Sequence, residues 1–214
     1  MRLRLESSPQ SKTNSAGRII DEAKRQFSAF TGGDKDAIHP SLRTAVFRLV
    51  VENGGASEYN ALKEEFFKTT SIDGKEVCLT SMGRVPTPEL ARDFISFVFS
   101  DDVATQDVHF GAVSLAANAK TRGVLWDYVR NEFATVSGRL AARSVTMDRF
   151  IKTTLSKFAS HEMERDISEF FKDKDQSGWE RAVVQAVDNV RTNAKYRERD
   201  EKLVEEWLKA HQYV

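Results

Sequence analysis

Cysteine occurs once in the 214 residues, at Cys78; proline occurs four times and glycine eleven. One thiol excludes a disulfide framework and any metal site built on cysteines. So few breakers leave long stretches uninterrupted, which favours helices over many short strands. No N-x-[ST] sequon is present. No apolar run approaches the roughly 20 residues that a membrane span needs. Net charge is also missing: Lys plus Arg and Asp plus Glu number 32 each. A neutral chain has no bulk field for nucleic acid or an anionic membrane, so neither is expected as a partner. Met1–Leu5 is basic and apolar but breaks at Glu6-Ser7-Ser8-Pro9, too short for a signal-peptide core. These absences point to a cytoplasmic protein.

What is present can build a core. Apolar residues make up 40% of the chain and include 14 Phe and 3 Trp, too many for a disordered segment. Residues 1–16 are polar and read as a disordered leader; 17–214 read as one helical-repeat domain. Ile19, Ile20, Ala23, Phe27 and Phe30 fall on one stripe at steps of three and four, the period of a helix. His39-Pro40 opens the next helix, with Leu42, Val46, Leu49 and Val50 expected inward and Asn53-Gly54-Gly55 as the stop. Ser57 is placed to cap a helix burying Tyr59, Leu62 and Phe66. A second pair spans Ile72 to Met82, ended by Gly83, and then a helix from Thr87-Pro88. A third runs from Thr105 to Ala117 and from Arg122 to Phe133. Pairs therefore begin near 40, 72 and 105, a spacing of about 33 residues that suits stacked helix-turn-helix repeats. Helices are also expected at Met147–Phe158, Ser160–Lys172, Trp179–Arg197 and Asp200–Ala210. No segment alternates as a half-buried strand does. The fold class expected is all-α, a superhelical stack of antiparallel helix pairs.

Catalytic signatures are lacking. His161-Glu162-Met163-Glu164-Arg165 begins like a zinc-peptidase helix, but H-E-x-x-H needs histidines four apart on one face, and the fifth position is a cation. Ser160 instead reads as a helix cap followed by an acidic first turn. Asp173 to Gly178 imitates the start of a calcium loop, but the twelfth position is Val184 where a bidentate Glu is required. There is no G-x-S-x-G and no phosphate-binding glycine loop. No metal ligand and no catalytic residue is assigned, and no cofactor is expected in this chain.

Resemblance enters at Lys120–Phe133. Asn118, Arg122, Trp126, Tyr128, Asn131 and Phe133 resemble a stretch of the C-terminal domain of gluzincin zinc aminopeptidases of the puromycin-sensitive and endoplasmic-reticulum type; Thr121 stands where that family usually has glycine. Ile38-His39-Pro40 with Leu42-Arg43, Gly54-Gly55 with Glu58-Tyr59, Gly83-Arg84 with Pro88-Glu89-Leu90, Gln106-Asp107-Val108, Phe170-Phe171 and Trp207-Leu208 are similar to further blocks of that domain, in the same order. The resemblance implies a HEAT-like helical array that closes over a separate zinc-bearing catalytic domain. Such a module encloses the active-site cavity and contacts peptide substrates without doing chemistry itself. The partners implied are that catalytic domain, which this chain lacks, and the peptides. Because the family's module is longer at its N-terminal side, a truncated start is expected. Arg84 and Arg122, each following the first helix of a pair, are the candidate substrate-binding residues, able to hold a peptide carboxylate. A structural role for each, at a helix end or in an ion pair, competes with that assignment. The alternative function is a stand-alone helical scaffold that binds protein or peptide partners.

Overall fold

A computed structural model describes residues 9–142, 144–211 and 213, with side chains from residue 16 onward. Regular structure among the described residues is entirely helical. The chain divides into two compact units, one ending at Phe94 and the other beginning at Ile95.

In the first unit, α1 (Pro9–Thr31) is followed by a 3-10 turn at Pro40–Leu42, then α2 (Arg43–Glu52), α3 (Ala56–Lys68), α4 (Ile72–Met82) and the start of α5 (Pro88–Val98). Of the expected leader, residues 1–8 lie outside the described residues, and residues 9–16 form the first turns of α1. Gly33, with φ of 118°, takes the left-handed conformation just past that helix. Phe27 and Phe30 of α1 each meet Phe47 of α2 edge-on, with centroids 5.4 Å apart. Phe47, Val50 and Val51 are thus the buried residues of α2. Of the expected inner face Val50 is buried, Val46 and Leu49 are half-buried, and Leu42 is not covered. Leu42 sits in the 3-10 turn and stays 53% exposed, because the helix proper starts only at Arg43.

The α2–α3 turn differs from expectation in a second way. Neither of its glycines has a positive φ, so no left-handed cap stops α2. Gly54 is needed for space: a Cβ there would lie 2.7 Å from the Val50 carbonyl oxygen and 2.8 Å from Glu58. Gly55, not Ser57, precedes α3, and its N–H donates to the Glu58 carboxylate at 2.8 Å. This occupies one of the orphan donors of a helix start. Tyr59, Leu62 and Phe66 turn inward as the period requires.

The second unit carries the rest of α5, a 3-10 turn at Thr105–Asp107, α6 (Val108–Ala117), α7 (Arg122–Asn131), α8 (Phe133–Leu140), α9 (Ser144–Leu155), α10 (His161–Lys172) and α11 (Glu180–Ala210). Two boundaries escape the hydrophobic period. The backbone leaves the helix at Glu132 (φ −114°, ψ 32°), which separates α8 from α7. The two helices expected after Trp179 are one helix of 31 residues. No glycine or proline interrupts it, and Arg197–Glu201 at 2.8 Å bridges the expected break. Trp126, Phe133, Phe170, Phe171 and Trp179 form an aromatic cluster with neighbouring centroids 5.0–6.3 Å apart. Trp126, Phe171 and Trp179 are buried, and fully burying one such side chain contributes about 2–3 kcal/mol.

Side-chain hydrogen bonds join segments far apart in sequence within one unit. Arg48 to the Thr80 carbonyl spans 32 residues, Tyr59 to Asp93 spans 34, and Asn193 to the Phe158 carbonyl spans 35.

Candidate functional site

The turn Asn118–Thr121 positions the candidate site. Asn118 is buried, and its carbonyl oxygen accepts the backbone N–H groups of Thr121 at 3.1 Å and Arg122 at 2.9 Å. Its side-chain oxygen accepts the Lys120 N–H at 3.1 Å. Helix α7 starts directly after, so Arg122, Trp126 and Arg130 lie four apart on one face. The buried Trp126 indole donates to Asp166 of α10 at 2.6 Å, and Arg130 donates to the same oxygen at 3.2 Å.

Arg122 has a different environment. Its Nη1 donates to the Lys157 carbonyl, just past the C-terminal end of α9. Its guanidinium lies 5.9 Å from the centroid of the Phe158 ring. Nε is closed off from solvent without a hydrogen-bond partner, and so is the hydroxyl of the neighbouring Thr121. Among the described residues no carboxylate pairs with Arg122. Burial pulls its guanidinium below the ordinary arginine range, the direction expected when a cation is desolvated without a counter-charge.

Arg84 is occupied. Its Nη2 donates to both oxygens of Glu52 at 3.0 Å. The two arginines named from sequence therefore belong to different units and differ in state: Arg84 has a carboxylate, whereas Arg122 has only a carbonyl and a ring face. A guanidinium of the second kind is suited to an incoming carboxylate. Asp166 and Lys157 carry no local sequence signal, because their partners lie 40 and 35 residues away.

The remaining polar clusters are closed on themselves. His161 Nδ1 lies 2.8 Å from Glu164 and its Nε2 lies 3.5 Å from Glu198, and Arg191 reaches Glu164 at 2.5 Å. Hydrogen bonds from His161 and Arg191 hold the Glu164 carboxyl below its usual range. Ser160 Oγ accepts the Met163 N–H at 3.2 Å, so the local string is a capped helix start. Among the described residues no three of His, Cys, Asp and Glu converge as metal ligands, so these side chains do not fit the zinc site that the resemblance attaches to the parent enzymes. A cleft of about 420 Å³ in the first unit reaches Glu65 and Cys78. Glu65 is held by Lys35 at 2.7 Å, and burial pushes the Cys78 thiol up to about 12. Among the described residues no helix is long and apolar enough to cross a membrane.

Comparison with known proteins gives one family. The model of the ERAP1-like C-terminal domain matches residues 10–192. Aminopeptidase 2 of Candida albicans is 27% identical over 193 residues, covering 90% of this chain and 21% of its own length. Aminopeptidase 2, mitochondrial, of Saccharomyces cerevisiae is 26% identical over 191 residues, covering 89% and 20%. Aminopeptidase M1 of Arabidopsis thaliana is 27% identical over 181 residues, covering 83% and 20%. The chain spans about a fifth of the length of these curated relatives. With a family match across most of its length and an all-helical fold to carry it, the chain belongs to the ERAP1-like C-terminal domain family.

Proposed function

We propose that this chain is the C-terminal module of a zinc metallo-aminopeptidase that removes N-terminal residues from peptides, and that it contacts the peptide through Arg122. The single observation carrying the second part is that Arg122 is partly desolvated and lacks a carboxylate among the described residues. A peptide C-terminus would supply that missing charge by a charge-assisted hydrogen bond. In the proposal the helix pairs continue as a HEAT-like superhelix that covers the active-site cavity, limiting water and peptide length. The catalytic domain is its partner, and the cytoplasm is the proposed setting. Arg84 has a lesser part, since a peptide would have to displace Glu52 to reach it.

The test uses a full-length enzyme bearing this module. Arg122→Ala alters the preference among peptide lengths and leaves hydrolysis of a dipeptide-sized reporter nearly unchanged, because the reporter is too short to reach the module. Equal loss on both substrates would make Arg122 a structural residue.

A further inference from the structure

Arg122 rests on the turn that follows α9. Beyond Leu155 the N–H groups of Lys157 and Phe158 donate back to the carbonyls of Thr154 at 3.2 Å and Leu155 at 3.3 Å. The turn thereby closes its own donors and leaves the carbonyls of Ser156, Lys157 and Phe158 to be met from outside, as the end of a helix requires. Arg122 of α7 meets the middle one. Its guanidinium also lies against the ring of Phe158, which is buried. Both groups that locate the guanidinium therefore belong to this turn.

Asn193 of α11 meets the other two carbonyls. Its Nδ2 donates to Ser156 at 2.9 Å and to Phe158 at 3.1 Å. An amide nitrogen carries two N–H groups, so one side chain satisfies both oxygens. Four residues earlier on the same helix face, Asn189 donates to the Ser156 hydroxyl at 3.1 Å. Asn189 is exposed, whereas Asn193 is half-buried and grips the turn on both sides of the Lys157 carbonyl.

A carbonyl oxygen left free next to that of Lys157 would compete for the guanidinium's donors and repel an incoming carboxylate. With Asn193 in place the two flanking oxygens are occupied. An arginine on a fixed support also loses less freedom on binding than one on a loose support. We propose, on the reading that Arg122 receives the C-terminal carboxylate of the peptide, that Asn193 is a positioning residue for that site. It holds residues 156–158 in the form that sets the guanidinium, and so sharpens selection for peptides with a free C-terminus. Asn193 acts through Arg122 and touches no reacting atom.

The test uses a full-length enzyme bearing this module, with kcat/KM read on matched peptides that end in a free acid or an amide. Asn193→Ala should reduce the free-acid preference roughly three- to tenfold, the scale of one or two lost hydrogen bonds. The change should lie in KM of the free acid, with kcat and hydrolysis of a dipeptide-sized reporter nearly unchanged. Asn193→Gln keeps the amide and should recover part of the preference. Added to Arg122→Ala, Asn193→Ala should change the preference no further, because the two side chains act as one unit. In the 214-residue chain itself, the nitrogen NMR signals of the Arg122 guanidinium should show hindered rotation that Asn193→Ala releases. If Arg122→Ala abolishes the preference while Asn193→Ala keeps it at the parent value, the role of Asn193 is overturned and that of Arg122 stands. No effect of Arg122→Ala would remove the site, and this role with it. Equal loss on every substrate, the reporter included, or unaltered guanidinium rotation in Asn193→Ala would also overturn the proposal and leave Asn193 a structural cap of α9.

Discussion

The Trp126 indole N–H donates to Asp166 Oδ2 at 2.6 Å, joining α7 to α10 across forty residues of sequence. Trp126 is buried, so removing its acceptor leaves its indole N–H without a protein partner. Such an orphan costs about 1–3 kcal/mol, and 1 kcal/mol moves the melting temperature of a chain this size by about 2–4 °C. Asp166→Ala should therefore lower it by several degrees. Asp166→Asn, which keeps an acceptor, should lose less. Equal melting curves for both variants and the parent would contradict the assignment.

Asp93 gives the first unit a pH dependence. Its carboxyl lies below the usual range: burial works against the charged form, but hydrogen bonds from Tyr59 at 2.5 Å and Lys63 at 3.0 Å outweigh it. A carboxyl whose folded value is depressed stabilises the fold above about pH 4 and loses that contribution as pH falls through the folded value. Thermal melts of Asp93→Asn should lie below those of the parent near pH 7, with the two converging in acid. A difference that widens on acidification would have the wrong sign.

The turn between α2 and α3 offers a matched pair. A Cβ at Gly54 would meet the Val50 carbonyl oxygen and Glu58, whereas a Cβ at Gly55 would meet open space. Gly55 has φ of −147°, which any residue adopts. Gly54→Ala should destabilise by about 1–3 kcal/mol through overpacking, and Gly55→Ala by less than about 0.5 kcal/mol. Chemical denaturation compares the two directly.

Cys78 is a built-in reporter. With its thiol raised to about 12 by burial, about one molecule in ten thousand carries the thiolate at pH 8. Since the thiolate is the reactive form, a disulfide-exchange reagent should leave the native chain unlabelled and react promptly in denaturant. Fast labelling without denaturant would mean that the first unit opens readily.

Much of this fold can be read directly from the residues, and the exceptions have physical causes. Helix α4 is legible to the residue because both ends are marked: Ser71 Oγ accepts the Gly74 N–H at 3.2 Å and Gly83 follows the last turn. The α7–α8 boundary has no such mark, since Glu132 leaves the helix without a glycine or proline. Continuity in α11 is hidden because a dense mixture of charge interrupts the apolar stripe near Glu198, so the stretch reads as two helices, while i,i+4 pairs run on through it. Arg122 is legible as a candidate through its place after the first helix of a pair, as Arg84 is. What distinguishes it from Arg84, the absence of a carboxylate among the described residues, depends on which side chains lie a repeat away. Local sequence does not carry that information.

The account rests on Arg122 holding a peptide carboxylate, and the most direct measurement is kcat/KM of a full-length enzyme on matched peptides with free or amidated C-termini. The parent should prefer the free acid, and Arg122→Ala should abolish that preference while Arg122→Lys retains part of it. The same preference in the parent and in Arg122→Ala would contradict the account.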